Sequence, residues 1–150
     1  MNQRARAAAL KRLDAFIGEW RVDASFPGSP PGCSGFEWAL DGQYMVQRSE
    51  APDPAPDSLA VVSVDPRTGA YAQHYFDSRG VVRVYAMTFN RGTWTLTRES
   101  PDFSPLDFNQ RFIGKFARDV KTIKGAWEIQ LISQVGIDQL IGPVLSKLVA

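Results

Sequence analysis

The sequence predicts a mainly β protein, an antiparallel β-barrel of about nine to ten strands led by one short helix. Three observations carry that expectation. Hydrophobic and polar residues alternate with a period of two along most of the chain, as where Trp20, Val22, Ala24 and Phe26 interleave with Glu19, Arg21, Asp23 and Ser25. Such alternation gives each strand two chemically different faces. Turn signals then recur at roughly 8–12-residue spacing, the rhythm of a barrel or sandwich. Finally, no helix alternates with strand, which disfavours a parallel α/β sheet.

The elements follow in order. Residues 5–17 read as a helix, since Ala7, Ala8 and Ala9 favour it and Leu10, Leu13, Phe16 and Ile17 share one face. Gly18 is its stop. The helix either lies over a barrel mouth as a lid or packs against the barrel's outside or end. Strands are expected over 18–26, 34–41 and 43–50. The first two are parted by the Pro/Gly-rich stretch 27–32, and the next two by Asp41-Gly42, a two-residue hairpin signal. Three prolines within 51–57 predict an exposed loop. Four closely spaced strands follow at 58–65, 70–77, 80–90 and 93–100. After a loop over 100–105 comes a last clear pair, 107–117 and 121–133, turning at Arg118-Asp119. Asp77, ahead of Ser78-Arg79-Gly80, is expected to accept hydrogen bonds from the turn's N–H groups.

The chain has 150 residues, which suits one domain spanning 1–150. A chain of this length can bury roughly 70% of its unfolded surface, so one core needs no metal or disulfide. The formal net charge is +1, with both signs scattered and no basic stripe, which excludes a nucleic-acid footprint. Cys33 is the single cysteine and reads as a structural thiol. Neither a signal-peptide run nor an apolar stretch approaching ~20 residues is present, so a cytoplasmic protein without a membrane span is expected.

Several segments resemble calycins, the lipocalins, fatty-acid-binding proteins and their relatives. Gly18-Glu-Trp20 resembles their G-x-W opening. The stretches 75–85, 92–96, 111–116 and 122–128 are similar, in that order, to a family of small bacterial calycin-like barrels of unknown function that are distantly nitrobindin-like in fold. The likeness covers about residues 13–130. It implies a Trp20 that plugs one end and a lumen that takes a small molecule. The end of the chain departs from it. A closing strand is implied, yet Pro143 lacks the N–H that a central strand needs and can instead open a helix after Gly142. Residues 136–150 are therefore read as closing the barrel, forming a C-terminal helix, or contacting a partner chain as in a homodimer.

His74 is the only histidine, and no metal-ligand spacing joins it to Cys33 or the carboxylates. A nitrobindin-like haem site would need a histidine late in the chain, so no cofactor is expected. No catalytic motif is present. The candidate ligand-binding residues are Phe36, Trp38, Tyr44, Phe76, Tyr85 and Trp127 for apolar contact area. Arg83, Arg111 and His74 are the candidates for orienting a polar group. For Arg83 and Arg111 the resemblance implies the clamp with which fatty-acid-binding barrels hold an acid head group. The expected function is binding of a small, largely apolar or amphipathic molecule. The alternatives are an isomerase- or cyclase-type enzyme using the same pocket, or a filled barrel acting as an interaction module.

Overall fold

The computed structural model describes residues 3–23, 30–98, 108–131 and 138–147. The expected Ala24 and Phe26 of the first strand, the 100–105 loop, residues 132–133 and the last three residues of the tail lie outside these. A helix, α1 (Gln3–Arg12), runs into a 3-10 turn (Leu13–Phe16). Ten strands follow: β1 (Gly18–Asp23), β2 (Gly32–Ala39), β3 (Tyr44–Glu50), β4 (Ser58–Val64), β5 (Tyr71–Asp77), β6 (Val82–Asn90), β7 (Thr93–Arg98), β8 (Phe108–Phe116), β9 (Thr122–Leu131) and β10 (Asp138–Lys147). All are antiparallel, each pairs with its neighbour in sequence, and β10 pairs with β1 to close the barrel. Among the described residues, closure leaves no strand of the sheet without neighbours on both sides.

Of the readings of the tail, the structure shows the closing strand, and the possible C-terminal helix is corrected to it. Pro143 is tolerated because the β9–β10 register shifts between Ile141 and Val144, where three steps on β10 face two on β9. The bulge falls at Gly142-Pro143, so the missing N–H costs no ladder hydrogen bond. The Asp41-Gly42 turn is also longer than expected. Ala39 pairs with Tyr44, and the loop between them has positive φ at Leu40 (50°), Asp41 (59°) and Gly42 (75°).

The meander fixes two ends. At one lie the start of β1, the 40–43 loop, the Asn90–Thr93 turn and the end of β8; the helix packs here. Leu13, Phe16 and Trp20 are fully buried (0% exposed). The Phe16 ring sits among Phe36, Phe89, Trp94 and Phe116, at centroid distances of 4.8–5.3 Å. Trp20 donates its indole N–H to the Phe16 carbonyl at 2.7 Å, and the Lys147 ammonium lies 5.6 Å over its ring. The Tyr71 hydroxyl donates to the Ala9 carbonyl at 2.5 Å, Trp38 Nε1 donates to Asp14 at 3.1 Å, and Arg6 bonds Gln43. The helix and its 3-10 turn are thus a stopper inserted into one end, and the lid reading gives way to an end plug.

Candidate ligand site

Cross-strand partners share a face of the sheet, so fully buried Trp20 sets the inward side of every strand. Inward residues include Ser34 and Phe36 on β2, Met45 and Gln47 on β3, and Ala60 and Val62 on β4. They continue with Gln73 and Tyr75 on β5, Arg83 and Tyr85 on β6, and Trp94 and Leu96 on β7. Phe112 on β8 and Trp127 on β9 complete the ring.

A cavity of about 780 Å³ occupies the barrel at the end away from the helix. Its apolar lining comes from Ala60, Leu96, Trp94, Phe112 and Trp127, with Val22 at the side. Trp94 and Phe112 (centroids 5.0 Å apart) form the boundary with the plug, because Trp94 also touches Phe16 at 5.0 Å. Trp127 stacks obliquely on Phe112 at 5.1 Å and on Tyr85 at 5.8 Å.

Phe112 reaches this position because two glycines make room for it. Gly114 and Gly125 are cross-strand partners on β8 and β9. A Cβ on Gly114 would sit 2.9 Å from the Phe112 ring, and one on Gly125 would overlap it. Here glycine permits close approach rather than an unusual backbone angle.

The polar lining forms two groups. Ser34 and Ser49 share a hydrogen bond at 2.6 Å, and Gln47 Nε2 donates to Ser34 Oγ at 2.9 Å. One strand beyond β4 on the same wall, on β5, stand Gln73, only 3% exposed, and Tyr75. The Tyr75 hydroxyl donates to Asp77 at 3.0 Å, and Arg79 holds the same carboxylate through Nη2 at 2.6 Å. The Asp77 side chain has no exposed surface and also accepts the Arg79 and Val81 backbone N–H groups, the turn role expected from sequence. These bonds, the Arg79 guanidinium foremost, lower the Asp77 pKa to about 2. Burial, and then the bond to Asp77, raise the Tyr75 phenol to about 12. The rim is braced as well. Asp57 accepts the Ala51 N–H, and Asp57 and Ser78 exchange hydrogen bonds at 2.9 and 3.2 Å. This ties the proline-rich 51–57 loop, which borders the cavity, to the β5–β6 turn.

The candidates chosen from sequence divide sharply. Trp127 borders the cavity, and Tyr85 backs it. Phe36 is buried in the plug, and Trp38 is tied to Asp14 beside it. Arg83 points inward but does not border the cavity; it donates to Gln110 at 3.4 Å, as does the Tyr85 hydroxyl at 3.2 Å, and its buried Nε has no partner. Tyr44, His74, Phe76 and Arg111 lie on the outer face, which corrects the expectation that they reach the lumen. His74 pairs laterally with Val61 and Val84, Phe76 is 37% exposed, and Arg111 is held by Glu128. Tyr44 shares its face with Val46, opposite buried Met45. Cys33 is exposed, 3.9 Å from Glu50, and is no core thiol. Sequence reasoning missed Ser34, Gln47, Ser49, Gln73 and Tyr75 as cavity residues. The signal that finds most of them is the face shared with Trp20, carried from strand to strand.

Among the described residues, no group of three His, Cys, Asp or Glu side chains is placed to hold a metal ion, and no helix is long and apolar enough to cross a membrane. No family model and no curated protein matches this sequence. The functional reading therefore rests on the geometry.

Proposed function

We propose that the protein is a calycin-like carrier or sensor that holds one small, largely apolar molecule in the barrel lumen. The observation behind this reading is the 780 Å³ cavity, walled by aromatic and aliphatic side chains and interrupted by a few hydrogen-bonding groups. That volume falls within the roughly 300–1,000 Å³ range of small-molecule pockets, and this mixture of lining is their usual form. The plug at the other end supports the reading, because it completes a core without consuming the lumen. A calycin kinship would account for the stopper at Gly18-Glu-Trp20.

Binding is favoured over acid–base catalysis by the state of Tyr75, a shifted titratable group on the inner wall. Tyr75, at about 12, stays protonated near neutrality and is far from the range of an efficient general acid or base. Titrating the protein with apolar probes while following tryptophan emission tests the proposal. Saturable quenching at micromolar probe is expected, and no response to any probe at high micromolar concentration would count decisively against it.

A further inference from the structure

We infer that the group the ligand presents to the inner wall is uncharged, a carbonyl or hydroxyl bonded by the Gln73 amide, and that the site discriminates against carboxylates. This rests on the binding reading above. Gln73 is almost completely buried and lines the cavity, yet its side-chain amide makes no hydrogen bond to the rest of the described protein. Its polar atoms open onto the cavity rather than being enclosed, so a ligand that displaces water from them must replace those hydrogen bonds. An amide offers both a donor and an acceptor, which suits a ketone, an alcohol or a neutral amide.

The surrounding groups share this neutrality. Ser34, Gln47, Ser49, Ser58 and Tyr75 are the other polar side chains facing the cavity, and the Tyr75 phenol holds its proton. Charged residues border it only at the rim: Glu50 and Asp53 are acidic, and Arg79 is already engaged by Asp77. Inward-pointing Arg83 bonds Gln110 through Nη1 and leaves its buried Nε without a partner, and inward-pointing, buried Arg98 is engaged within the protein; neither borders the cavity. A carboxylate entering here would lose its water, pass acidic side chains and find no free cation on the described wall.

The test uses five probes of equal chain length: dodecane, 1-dodecanol, 2-dodecanone, dodecanoate and dodecylammonium, titrated at pH 7 by tryptophan fluorescence. The ketone and the alcohol are expected to bind at least about tenfold more tightly than either ion. Gln73→Leu is expected to weaken ketone and alcohol binding by about 3–10-fold while leaving dodecane unchanged. Gln73→Glu is expected to bring the amine above the ketone. Circular dichroism and melting temperature check that both variants fold, and the wild-type ranking stands as a test without them. Dodecanoate binding as tightly as the ketone would overturn the inference, as would a ketone no tighter than dodecane. In both cases the binding reading survives. If none of the five probes binds, the binding reading fails and takes this inference with it.

Discussion

The ring of Phe112 lies directly over the backbone of Gly125, where any Cβ would overlap it. Together with Gly114 on the paired strand, Gly125 turns a β8–β9 hairpin into a slot that holds Phe112 between Trp94, which it meets edge-on, and Trp127, which it meets obliquely. Cavity wall and sheet backbone are therefore fitted to each other. Gly125→Ala is expected to destabilise the fold by about 1–3 kcal/mol through overpacking, and Gly114→Ala by less. Urea unfolding midpoints measure both, and equal stability of Gly125→Ala and wild type would refute the slot.

The stopper at the opposite end can be tested the same way. Phe16 is fully buried against four aromatic rings. Phe16→Ala is expected to cost about 3–5 kcal/mol, measured by chemical denaturation. A loss under 1 kcal/mol would mean that the helix only rests on the barrel.

The Tyr75–Asp77–Arg79 cluster predicts pH dependence on both sides of neutrality. The Asp77 pKa is lowered in the folded state to about 2 from 3.8, so its contribution is present above 3.8 and lost as pH falls towards 2. Asp77→Asn should be less stable at neutral pH and show a shallower acid decline in that window. The Tyr75 pKa is raised from 10 to about 12, so its contribution is full below 10 and lost between 10 and 12. Spectrophotometric titration should show a tyrosine ionising near the upper value, with that step gone in Tyr75→Phe.

Closure by β10 has a solubility consequence. Removing residues 138–150 would bare the paired edges of β1 and β9. The truncated chain is expected to aggregate. Pro143→Ala, sited at the bulge, should change stability by less than about 0.5 kcal/mol. Size-exclusion chromatography and thermal melts read these out.

Strand positions were legible because glycine, proline and aspartate punctuate nearly every turn, and those residues act locally. Facing was less so. On β5 both sides carry aromatics, Tyr71 and Tyr75 against His74 and Phe76, so alternation alone cannot say which is inside. The answer comes from register against Val62 and Tyr85, a relation between distant residues. Arg111 looked like a clamp because nothing local reveals Glu128 beside it on β9. Pro143 pointed away from a strand because a bulge depends on the partner strand as well as on the residue itself.

The most direct measurement is native mass spectrometry of wild type and Ala60→Trp with saturating 2-dodecanone. Ala60 is buried on the cavity wall, and an indole there would project into the lumen and take up part of it. Wild type is expected to carry one probe per chain and the folded variant clearly less. Equal occupancy in both proteins, or no adduct on wild type, would contradict binding in the lumen.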